Sequence, residues 1–96
     1  NLQNYQNLPY ILGDKNQFKI LYDNLKTSNF PFNDIQKFIL YDTKRWDLIT
    51  KSEKVIKLPK EKYIKSLKNY LKMSGQSNFK EYKVFDYRIN NQLILK

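Results

Sequence analysis

The sequence predicts an α/β domain of the α+β type. It has a mainly antiparallel sheet of about five strands with two helices packed on one face, in the order α-β-β-β-α-β-β. Three observations predict this. Residues 44–50 and 54–58 alternate apolar and polar side chains on either side of a short polar gap, as a hairpin does. Two segments repeat their apolar residues at helical spacing. Two further extended runs close the chain around an Asn-Asn pair.

The elements follow in order. Residues 1–7 (NLQNYQN) have no usable period and read as a tail or truncated element. LPYILG, residues 8–13, sets large apolar side chains between a proline and a glycine and reads as a short buried loop or turn. Phe18, Leu21, Tyr22 and Leu25 form the stripe of a first helix, which Asp14 or Asn16 can cap and Pro31 cannot continue. Residues 33–42 (NDIQKFILYD) read as a strand. In the next strand Trp46, Leu48 and Thr50 share one side, and Arg45, Asp47 and Ile49 the other. Trp46 is placed either to fill the core or to anchor an interface. Residues 51–53 turn, and Ile56 and Leu58 point inward from the following strand. Pro59 suits the first turn of a second helix, whose apolar face is Tyr63, Ile64, Leu67, Tyr70 and Leu71, with Gly75 as its stop. Residues 82–89 and 92–96 are the last strands, joined at Asn90-Asn91 by a two-residue primed turn. No repeat is evident in the sequence.

Ninety-six residues suit a single domain, 1–96. A start at Asn1 with a polar segment predicts excision from a longer protein, and no apolar run here is long enough to span a bilayer. The formal charge of +9 first suggests a polyanion partner. Its make-up argues otherwise: 16 lysines against two arginines, no alanine, and 44 of 96 residues drawn from Asn, Lys, Ile and Tyr, the mark of AT-rich codons. Base-reading surfaces favour the planar fork of arginine. A basic nucleic-acid-binding domain is the alternative reading, and most of the fifteen aromatics fall on stripes already assigned to the core.

Catalysis lacks its usual parts. The chain has no histidine, no cysteine and no phosphate-cradling glycine loop, and its serines have no base to activate them. Asp42 and Asp47 lie on opposite strand faces. The reading is therefore no enzyme, no cofactor, no metal and no small-molecule substrate.

Four ordered blocks carry a family likeness. LPYILG resembles an LP-x-L-x-G motif; KRWDL, with the helix and strand before it, resembles the block that follows in the family; KVIKLPKE resembles a strand closing on "LG" or "LP"; FDYRINNQL resembles a V-D-L-R-Y strand turn. In this order and spacing, residues 8–96 are similar to the C-terminal periplasmic domain of the FtsQ/DivIB bacterial cell-division family. One position departs: Ile89 stands where the family usually has tyrosine. The resemblance implies a divisome scaffold domain on the periplasmic side of the inner membrane. Upstream strands, a POTRA domain and a single membrane span would lie outside this chain. It implies FtsB/FtsL-type partners, with an FtsB segment adding as a strand beside the last strand. On that reading Arg88, Ile89, Asn91, Gln92, Leu93, Ile94 and Leu95 bind the partner, and Lys44 and Arg45 supply further positive charge. Arg88 has a second possible partner in Asp86, two residues away on the same strand face.

Overall fold

The computed structural model describes residues 9–96, so the expected tail at 1–7 and Leu8 lie outside the described residues. The elements are β1 (Tyr10–Leu12), α1 (Lys15–Thr27), β2 (Ile35–Leu40), β3 (Trp46–Thr50), β4 (Val55–Lys57), α2 (Tyr63–Ser74), β5 (Val84–Asp86) and β6 (Ile94–Leu95). Short 3-10 turns at Phe32–Asp34 and Ser77–Phe79 lead into β2 and toward β5. The α+β class holds, with two corrections. The sheet has six strands, and it is mixed.

All six strands lie in sequence order across the sheet. β1 pairs parallel with β2, and β4 with β5; the other pairings are antiparallel. Both parallel pairs have the same cause. Parallel neighbours need a crossover, and each helix is one: α1 carries the chain from β1 to β2, α2 from β4 to β5. The unexpected strand is β1. LPYILG is not a buried turn: Tyr10, Ile11 and Leu12 are 66%, 41% and 54% exposed at one edge of the sheet. Gly13 is required where it stands, because it has φ +151 and an added Cβ would meet Leu40 Cβ at 2.6 Å.

Asp14 caps α1, its Oδ1 accepting from the backbone N–H of Asn16 (2.7 Å) and Gln17 (3.1 Å). The helix closes in a left-handed residue, Asn29 (φ 59), while the N–H of Phe30 returns to the carbonyl of Leu25. β2 is shorter than residues 33–42, because the 3-10 turn occupies its start and a bulge falls between Ile35 and Lys37. Pro59 does not open α2. Leu58 stays extended, donating its N–H to Trp46, and residues 59–62 are needed to climb from the sheet to the helix layer. Lys62, left-handed at φ 59, then starts the helix without a side-chain cap. Gly75 ends it in an ordinary right-handed conformation, with nothing within 4 Å of an added Cβ.

Both helices cover the same face. Phe18 of α1 meets Phe38 edge-on at 5.2 Å, Tyr70 of α2 meets Phe85 at 4.9 Å, and Asn24 Nδ2 donates to Tyr63 Oη between the helices. Beneath them one row of paired residues crosses the sheet: Ile11, Phe38, Leu48, Ile56, Phe85, Leu95. It reads Ile-Phe-Leu twice. The chain is thus two β-α-β-β units side by side, a repeat of topology that the sequence conceals because the helices differ in composition and the loops in length. Phe38, Leu48, Ile56 and Phe85 are fully buried, as are Leu21, Leu25 and Leu67 from the helices. Each such side chain contributes about 1.5–3 kcal/mol on leaving water.

Candidate docking edge

β6 ends the sheet. Val84 and Lys96 exchange both backbone hydrogen bonds (3.1 Å each way), so Phe85 and Leu95 form the non-bonded pair beside them and Asp86 and Ile94 the next bonded pair. The N–H and C=O groups of Ile94 and Lys96 therefore face β5. Those of Leu93 and Leu95 face outward, and among the described residues no strand pairs with that side. The side chains of Leu93 and Leu95 are half-buried against the core, leaving part of each at the rim.

The expected Asn-Asn hairpin is a longer loop. The N–H of Gln92 does close a turn onto the carbonyl of Ile89 (3.1 Å), but only Asn91 (φ 61) is left-handed, which excludes the primed turn with two positive φ values. The strands stop short of this turn because Asp86 takes the chain out of the ladder. Its Oδ1 accepts from the backbone N–H of Arg88 (3.0 Å) and from Arg88 Nε (2.9 Å), and its Oδ2 from Arg88 Nη2 (2.6 Å). The Arg88 bonds hold the carboxyl of Asp86 below the usual range, and the same bonds raise Arg88. Asp86 is 3% exposed while the Arg88 side chain is 42% exposed. Arg88 thus makes the intrachain pair and still presents its outer nitrogen to solvent.

A cleft of about 710 Å³ opens between the 87–93 loop and the start of α2. Lys60, Lys62, Lys65 and Arg88 line it against one acid, Glu61, and Leu93 brings the rim of β6 to its mouth. Tyr87 forms part of its wall, donating to Asn69 Oδ1 (2.8 Å), and burial pushes its phenol up so that it stays neutral. Lys60, Lys62 and Lys65 are not among the contact residues expected from the sequence. Their signal was the dense KEK run after Pro59, ahead of the helix.

Of the expected contact residues, Arg88, Ile89, Asn91, Gln92 and Leu93 gather around this cleft, and Ile94 and Leu95 form the edge beside it. Lys44 and Arg45 lie elsewhere, at the β2–β3 turn, three strands in from β6. Arg45 Nη1 donates to Asp47 Oδ1 (2.7 Å) and lies near the carbonyl of Leu58 (3.4 Å), and its guanidinium stacks 5.1 Å from the Tyr41 ring. Asp47 in turn holds the Tyr41 phenol up. Trp46 is 6% exposed and belongs to the core. No protein-family model matches this chain, and no curated protein matches it.

Proposed function

We propose that this chain is a non-enzymatic docking domain of the FtsQ/DivIB type. In this reading a longer, single-pass parent protein holds it on the periplasmic side of the bacterial inner membrane. There it recruits an FtsB/FtsL-type division protein during septum assembly by accepting a strand at β6. One observation carries the reading: among the described residues, the outward backbone groups of Leu93 and Leu95 have no strand paired with them at a sheet edge, beside a cleft rich in cations. Strand addition takes its affinity from such groups and its selectivity from alternate side chains. The cations of the cleft suit a partner segment with carboxylates flanking its strand. Both arginines of the chain are already paired with aspartates of the chain, which leaves no arginine fork uncommitted for reading bases.

The test is titration of the domain with a synthetic peptide from the FtsB-type protein of the same cell. Leu95→Pro removes an outward N–H and should weaken binding at least ~10-fold, with the fold retained by thermal melt. Lys65→Glu should weaken it too and flatten its salt dependence, since it reverses a charge in the cleft without touching the Asp86–Arg88 pair. Binding unchanged by both variants contradicts the reading.

A further inference from the structure

Among the described residues the sheet has a second unpaired edge, and it is the more apolar of the two. Natural edge strands are usually guarded by charge, proline or brevity. β1 carries none of the first two: Tyr10, Ile11 and Leu12 are all large and all exposed. The repeat says what fits there. β1 holds the place in the first unit that β4 holds in the second, and β6 the place that β3 holds in the first. Within the chain, β3 and β4 pair antiparallel, with Asp47 opposite Lys57, Leu48 opposite Ile56 and Ile49 opposite Val55. We infer that β6 of one copy pairs with β1 of a second copy in that same register, joining molecules head to tail through one continuous sheet.

Three features of the structure support this occupant. Strand directions run up, up, down, up, up, down from β1 to β6, so a following β1 that runs up is antiparallel to β6 and needs no inversion of the second molecule. The hydrogen-bond phase matches as well. Leu48 directs its backbone groups toward β4, with the flanking bonds Leu58 N–H to Trp46 and Thr50 N–H to Lys54, and Leu95 directs its own outward in the same way. The side chains are compatible. Leu95 would face Ile11 of the next copy, continuing the Ile-Phe-Leu row with all helices on one side. Ile94 would face Leu12, and Lys96 would lie against the Tyr10 ring.

Three residue pairs make a small interface, so the contact is weak and populated at high local concentration. It is heterologous and leaves a free edge at each end, so it propagates as a chain of molecules. The +9 charge opposes it, and added salt strengthens it. This is the reverse of a lysine–carboxylate docking contact. A strand docked on β6 would displace it. The inference does not depend on that docking reading, because it concerns β1 and would stand if no division protein bound.

The chain has no cysteine, which makes thiol trapping clean. Ile94 and Leu12 would occupy a non-hydrogen-bonded pair like Asp47 and Lys57, where Cα atoms lie close enough for a disulfide. Leu12→Cys and Ile94→Cys are made as separate chains, one with a mass tag, and oxidised together. The inference expects mixed dimers to form at least ~10-fold faster than either chain with itself, and faster still in higher salt. It also expects Tyr10→Cys with Ile94→Cys, two residues away on the same face, to show no such preference. A statistical mixture of dimers, or equal yields in both registers, overturns it. Sedimentation equilibrium gives a check free of thiols. The unmodified chain should self-associate with rising concentration, and Leu12→Lys should abolish this; a strictly monomeric unmodified chain contradicts the proposal.

Discussion

Asp86 concentrates three hydrogen bonds from Arg88 on a carboxylate that is almost out of solvent, and so fixes where β5 ends and the 87–93 loop begins. Its folded pKa lies below the ordinary value, so the unfolded chain takes up the proton first as pH falls. The stability it contributes is complete above the ordinary carboxylate range and is lost below about pH 4. Denaturant melts at about pH 7 and about pH 3 should show a larger loss for the natural chain than for Asp86→Asn, which has nothing to titrate there. Equal losses would mean the pair is not holding the loop. Leu67 is 1% exposed at the centre of α2, so Leu67→Ala should cost about 2–5 kcal/mol, and a melt showing less than about 1 kcal/mol would mean the cavity collapses. Lys62 stands left-handed with a side chain that caps nothing. Lys62→Gly should stabilise the domain by roughly 0.5–1 kcal/mol, read by the same melt.

At the scale of elements, the outward phase of β6 separates two proline substitutions that look alike in sequence. Leu95→Pro removes an unpaired N–H and should spare the fold. Ile94→Pro removes one that faces β5, so β6 itself should detach, giving faster amide exchange at Val84 and Asp86. Similar exchange at those two amides in both variants would contradict the assigned phase. Much of the layout was legible from period alone. The stripe of α1, the alternation of β4 and the face of α2 centred on Leu67 and Tyr70 each reflect one buried side, which a sequence states directly, whereas β3 alternates in chemistry but is buried on both faces, Asp47 included. β1 was hidden because three exposed apolar residues before a glycine carry no alternation. The start of α2 was misplaced because Pro59 is as much at home in the climb from the sheet as in a first helical turn. At the candidate site, the last strand and Arg88 were legible. The cleft was not, since it joins Lys60–Lys65 to the 87–93 loop across a distance in sequence that no local pattern spans.

Taken whole, the molecule is one six-stranded sheet with helices on one face and both edges open among the described residues. Its positive charge disfavours contact between copies and favours contact with an acidic partner. That partner would have to compete for β6 with any second copy arriving through its own β1. The most direct test of the docking account is amide hydrogen exchange on the domain, alone and saturated with the FtsB-type peptide. The account predicts new protection at Leu93 and Leu95, whose N–H groups face outward, and little change at Ile94 and Lys96, which already face β5. Protection confined to the β3–β4 hairpin or to α2, with Leu93 and Leu95 exchanging as before, would contradict it.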